Sequence, residues 1–167
     1  MSNRQFLFYR CIADLLTEDR VQAMSQVTQH VGSVNCLHHC LFVAYLSFLL
    51  CRLFRWKSRD AARGGLLHDM FLYDQHDQEN KKGHWKNHPQ AALDQARQIC
   101  PLTYREENCI GAHMWPLTKA RPRCREAWVV NMTDTLCAAL EWMHVYHLLR
   151  MGKKFDALLE VPEGIAA

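Results

Sequence analysis

A chain of 167 residues suits one domain with a single sizeable core and is short for two independent ones, so one domain is expected over residues 1–160. With 49% hydrophobic and 22% charged residues and only seven Gly and five Pro, low complexity and disorder are excluded except for a flexible tail at 161–167. The net charge of +3 is too small and too scattered to mark a nucleic-acid polymer as the partner.

Apolar residues recur at helical spacing along nearly the whole sequence, while clean period-two alternation between turn residues is absent. The fold class is therefore all-α, with about six to eight helices. A first helix is predicted over Arg4 to Leu16, with a shorter one after Thr17-Glu18-Asp19-Arg20. Residues 29–33, around Gly32, read as a loop leading into a long helix from Val34 to Phe54 that carries His38 and His39. Its run Leu41 to Leu50 falls short of the roughly 18 to 20 apolar residues of a membrane span, and Arg52, Arg55 and Lys57 follow. A buried core helix is expected there, and no membrane partner.

Ser58 is placed to cap the next helix, with Asp60 in its first turn where negative charge complements the helix dipole. That helix is predicted to end near His68-Asp69. The polar stretch 74–87, containing Lys81-Lys82-Gly83, reads as a surface loop near the site. His88-Pro89 opens a helix reaching Ile99, because proline is well tolerated at a first helical position. Thr103-Tyr104-Arg105-Glu106 has the capping-box pattern and starts a helix running to His113, ahead of Pro116. A last long helix is expected over Arg125 to Arg150, with Gly152 as its stop.

The eight cysteines form no CxxC pair, and the chain begins without the charged, apolar and small-residue regions of a secretory signal. They are expected to be the thiols of a cytoplasmic protein. Cys36 and Cys40 share a helix face with the His38-His39 pair, where a buried thiol more often serves as a small hydrophobe than as a ligand. Histidines such as His144 and His147 read as satisfied or partly exposed, and Trp85 and Trp115 as core side chains rather than platforms for a base.

His68-Asp69 stands apart, because an aspartate directly after the apolar stretch Gly64-Gly65-Leu66-Leu67 is costly to bury without a partner. In series with His39, His88, His113 and Asp134 it completes four His and two Asp, donors that zinc, manganese, iron or cobalt accept. One divalent ion would need about four of these residues. Two ions with Asp69 between them would occupy all six, about 3.5 to 4 Å apart and sharing a water of lowered pKa. No pair among them has the HExxH spacing of a zinc helix.

The ordered residues resemble the HD-domain superfamily of metal-dependent phosphohydrolases, whose pattern is a His, a His-Asp pair and a later Asp. The match covers about Asn35 to Glu141 and reads His39-Cys40-Leu41-Phe42-Val43-Ala44, then Ala61-Ala62-Arg63-Gly64-Gly65-Leu66-Leu67-His68-Asp69, then Met132-Thr133-Asp134. Asn87-His88-Pro89 and Gly111-Ala112-His113-Met114-Trp115-Pro116 look like the additional ligands of the binuclear branch. The resemblance implies a helical bundle around a metal centre. It implies that His39, His68, Asp69 and Asp134 hold one ion and His88 and His113 the second, with Asp69 as bridge and catalytic residue. His38 competes with His39; the superfamily's first His stands four residues before the pair that here is Val43-Ala44, which favours His39. His30 and His84 have no motif of their own and are expected behind the ligands or in solvent.

The implied reaction is hydrolysis of a phosphodiester or phosphomonoester by a metal-bridging hydroxide, on a small, anionic, nucleotide-like substrate. One departure matters. In the superfamily's cyclic-dinucleotide phosphodiesterases the His-Asp pair is followed by Ile-Gly-Lys, but here it is followed by Met70-Phe71-Leu72, and no GYP-like motif occurs. The phosphate-binding Lys is missing, and Lys86, Lys119 or Arg121 are the candidates to replace it, with Lys81 and Lys82 beside them. The run Lys119, Arg121, Arg123, Arg125 reads equally as cations beside the metals or as a solvated loop entering a helix. Two other functions fit the same residues. One is a di-iron oxygenase acting on a small organic alcohol or phosphonate, as in a minority of the superfamily; the other is a non-catalytic metal- or nucleotide-binding domain.

Overall fold

Ser2 and Gln5 begin the first helix, α1 (Asn3–Leu16), through a capping box in which each side chain accepts the other's backbone N–H. The structure, a computed structural model, describes residues 2–27, 34–72, 84–145 and 151–160, apart from the side chains of His84, Trp85 and Met151. The predicted loop at 29–33, residues 74–83 of the second loop, the tail at 161–167, and His30, Lys81, Lys82 and His147 lie outside the described residues. α2 (Asp19–Ala23) and a 3-10 turn at Met24–Gln26 follow, then α3 (Cys36–Leu53), whose N-cap Asn35 accepts from the His38 N–H. The remaining helices are α4 (Ser58–Leu67), α5 (His84–Ile99), α6 (Tyr104–Gly111), α7 (Arg125–Trp142) and α8 (Met151–Leu159), and no strand occurs among the described residues. The all-α expectation, with six to eight helices, is met.

Residues of small volume put α4 at the centre. It packs against α1, α3, α6 and α7. A Cβ added at Gly64 would lie 2.4 Å from the Cys109 Cβ of α6, and one at Gly65 would lie 2.9 Å from the Ala44 Cα of α3. The two glycines thus let α4 wedge between its neighbours, which delivers His68 and Asp69, just past its end, into the junction of α3 and α7. Leu41, Leu66, Leu67, Met70, Ile110 and Val130 fill the core around that wedge. Arg63 crosses it as a buried cation, bonded to Asp14 at 2.7 Å and Glu106 at 2.8 Å, so α1, α4 and α6 share one satisfied ionic network.

By length and composition α3 is apolar enough to cross a membrane, yet 61% of it is buried here under α4 and α7, as a core helix would be.

Four predicted boundaries are corrected. Lys57, not Ser58, is the N-cap of α4, because the Glu126 carboxylate accepts the Lys57 N–H at 3.0 Å and sets the entry angle from outside the helix. α5 starts at His84 and contains Pro89 past its first turn, where proline forfeits the backbone bond to the carbonyl four residues before it, so proline does not mark the start of this helix. α6 stops at Gly111, short of His113, because the Asn131 side chain binds the carbonyls of His113 and Trp115 and draws the chain out of the helix. α7 stops at Trp142, where His144 adopts a left-handed φ of 59°, and Gly152 lies inside α8 instead of ending a helix.

Candidate metal centre

His39 reaches the centre from the buried face of α3, one residue round the helix from His38. The His38 ring turns to α8 and meets Asp156 at 2.9 Å, while His39 is fully buried between two carboxylates. Its Nδ1 lies 3.0 and 3.1 Å from the two oxygens of Glu141, and its Nε2 lies 3.1 Å from Asp134 Oδ1. Both acids project from α7, whose register is pinned to α3 by a 2.6 Å bond between the buried hydroxyls of Ser47 and Thr133, the residue before Asp134.

The tautomers of the next two histidines follow from their partners. A backbone carbonyl only accepts, so His68 Nδ1 donates to Gly65 O at 2.8 Å and His113 Nδ1 donates to Ile110 O at 2.7 Å. Each neutral ring then presents an Nε2 lone pair to the same small volume. His68 Nε2 is 3.5 Å from Asp69 Oδ2 and 3.5 Å from Asp134 Oδ1, and it makes no hydrogen bond among the described residues. His113 Nε2 and His88 Nε2 are each 3.3 Å from Asp69 Oδ1, and 2.8 Å from one another.

Lone pairs facing carboxylate oxygens repel unless a cation lies between them. Donors about 2.1 Å from one ion stand roughly 3.0 to 3.4 Å apart at neighbouring vertices of an octahedron or tetrahedron. The 3.1 and 3.3 Å separations here fall on that edge length, and the 2.8 and 3.5 Å ones lie just to either side of it. Two groups, His39, His68 and Asp134, and His68, Asp69 and His113, bring their ligand atoms within 4.8 Å of one another and could each hold a metal ion. The carbonyls of Gly65 and Ile110 and the Glu141 carboxylate fix the far nitrogens of three rings, the arrangement that orients histidine ligands in metal sites.

In the metal-free fold, protons carry the balancing charge. Burial drives His39 toward its neutral form, but Asp134 and Glu141 outweigh burial and hold its pKa well above 6.5. His68 is likewise raised, against burial, by Asp69 and Asp134. The carboxyls of Asp69 and Asp134 sit far below the usual range, since the surrounding imidazoles overcome the cost of burial. His113 is lowered, by burial and by His68, despite the pull of Asp69.

The six predicted ligands therefore come together in one buried cluster. Three neighbours escaped the sequence reading: Glu141 behind His39, Asn131 holding the His113 turn, and the Gly65 carbonyl. A signal existed for Glu141, which stands seven residues, two helical turns, after Asp134 on the same face of α7. Cys36 and Cys40 lie behind His68-Asp69, the first donating to Asp69 O at 3.3 Å and the second 3.8 Å from His68 Nδ1, away from the converging Nε2 atoms. Lys86 is exposed on α5 two residues before His88. Lys119 is exposed between α6 and α7, and Arg121 lines a cleft on the outer side of α6 with Tyr104 and Asn108; neither forms an ion pair with the six. No family model, curated protein or solved structure matches this chain. The likeness to the HD-domain superfamily rests on the residues themselves.

Proposed function

We propose that this protein is a metal-dependent phosphohydrolase of the HD-domain type, holding two divalent ions across Asp69 and acting on a small phosphorylated substrate. The observation that carries the reading is the aim of the Asp69 carboxylate. Its Oδ2 faces His68 at 3.5 Å, while its Oδ1 faces His88 and His113 at 3.3 Å each, so one side chain addresses two sets of histidine nitrogens. Two divalent ions in such a frame lower the pKa of coordinated water and neutralise charge on phosphoryl oxygens. The chain's own part is to hold the donors still. Glu141 keeps His39 turned toward Asp134, and the Gly65 and Ile110 carbonyls keep the Nε2 lone pairs of His68 and His113 directed inward.

Metal analysis of the purified protein, coupled to a manganese-supported assay with bis(p-nitrophenyl) phosphate, tests this. The expected result is two ions per chain, with turnover that vanishes in Asp69→Ala. Turnover by Asp69→Ala near the wild-type rate would sink the reading. Two irons with oxygen consumption and no hydrolysis would transfer the centre to oxygenase chemistry.

A further inference from the structure

Away from the metal centre, a second group of charged side chains gathers where α3 ends and where α4 and α7 begin. Arg55 and Lys57 come from the α3–α4 connection, Arg105 from α6, and Arg123 and Arg125 from the start of α7. They line a cleft of about 430 Å³ whose walls include none of the six clustered ligands. The acids nearby are already engaged. Buried Glu126 accepts the Lys57 N–H at 3.0 Å and lies 3.7 Å from Arg105, and Asp60 lies 3.8 Å from Arg105. Five cations against those two carboxylates leave an excess of three positive charges. The Arg125 guanidinium is held 5.4 Å from the centre of the Trp56 ring, whereas the side chains of Arg55, Lys57 and Arg123 have no ion pair among the described residues.

The backbone at this helix end is strained. α3 ends with Trp56 N–H bonded to Cys51 O at 2.8 Å and Arg55 at a φ of 58°, the left-handed position that glycine fills without strain. An arginine kept in such a conformation costs local stability, which a glycine at this helix end would recover.

We propose that this cleft is a second, metal-independent site that binds the pyrophosphate group of a small molecule, either free pyrophosphate or a nucleoside diphosphate. Guanidinium groups from three elements suit a group with several charged oxygens, and the cleft has the size of a small-molecule pocket.

Cys124, half-exposed in the cleft wall, gives a local reporter, because its hydrogen bond with Cys109 holds the thiol down to about 7. The rate of its alkylation by neutral iodoacetamide is followed by mass spectrometry on the full chain, with Cys11 and Cys100 as internal controls. Pyrophosphate should slow Cys124 saturably and leave the controls unchanged, and ADP should do the same if the nucleotide is the source. Lys57→Glu combined with Arg123→Glu, both at exposed positions, should raise the half-protecting concentration roughly tenfold or more, with the metal content unchanged. Arg55→Gly should weaken protection while raising Tm, a pairing that a merely structural arginine would not produce. The site is overturned if pyrophosphate gives no protection, if sulfate at matched ionic strength protects equally, if charge reversal changes nothing, or if a duplex oligonucleotide protects at lower concentration than pyrophosphate and ADP.

Discussion

The two histidine sets on either side of Asp69 are built differently. His39 and His68 rise from the packed junction of α3, α4 and α7 and share it with Asp134, and Glu141 stands behind His39. His88 and His113 come from α5 and from the turn after α6, and the carboxylate between them is Asp69 Oδ1. The first set is therefore richer in negative charge. A divalent ion gains affinity with the anionic charge of its ligands, so the first set is expected to fill first and the second to depend on Asp69.

The hardest blow to that arrangement removes the shared carboxylate. Asp69→Ala should cut turnover of a phosphodiester by about a thousandfold or more, on the order of 4 kcal/mol of transition-state stabilisation. It should also abolish the weaker phase of a manganese titration, while circular dichroism stays helical. Glu141→Gln acts on one side only. Loss of a group that orients a histidine ligand typically weakens metal binding by roughly 10- to 100-fold, and here that loss should fall on the tight phase alone. Equal weakening of both phases in calorimetry would erase the distinction between the sets.

Acidity separates them further. In the metal-free fold the raised pKa of His39 and of His68 contributes stability that is complete below 6.5 and is lost as pH climbs through the folded values. His113 is depressed, so its contribution is present above 6.5 and is lost as pH falls. A bound ion must displace protons that His39 and His68 hold more tightly than an ordinary histidine, whereas His113 holds its proton less tightly. Affinity of the tight phase should keep rising as pH climbs above 6.5, by about tenfold per unit for each proton displaced, while the His113 contribution to the weak phase levels off at lower pH. Calorimetry in buffers of different ionisation enthalpy counts the protons released by each phase. Equal counts would contradict the asymmetry.

Much of this was legible in the sequence wherever the determinant is local. The capping box at Thr103 and Glu106, the helical spacing of α1 and α3, and the ordered ligands are written in neighbouring residues. What distant elements decide was not. His38 and His39 have similar neighbours, and only Asp156 of α8 and Glu141 of α7 sort them. His113 leaves its helix because Asn131, eighteen residues on, takes its carbonyl. The cations from Lys119 to Arg125 read as one run, yet Arg123 and Arg125 join Arg55, Lys57 and Arg105 in a cleft of their own, a grouping that depends on how α3 and α7 end and begin.

The frames around the two sets differ in tolerance as well as charge, and two glycines expose this. At Gly65, whose carbonyl orients His68, a Cβ would lie 2.9 Å from the Ala44 Cα, and backbone does not yield cheaply. Gly65→Ala should destabilise the fold by about 1 to 3 kcal/mol and weaken the tight metal phase with it. Gly111, two residues before His113, is roomier: its Cβ would meet Leu93 Cδ2 at 3.6 Å, an ordinary contact, and its φ is not left-handed. Replacing a helical glycine with alanine where the backbone permits it restricts the unfolded chain, so Gly111→Ala should stabilise by roughly 0.4 to 1 kcal/mol and leave both metal phases unchanged. Denaturant unfolding of the two variants measures the contrast directly. If Gly111→Ala also lost stability, the frame around the second set would be as close-packed as the first, and its weaker binding would have to come from charge alone.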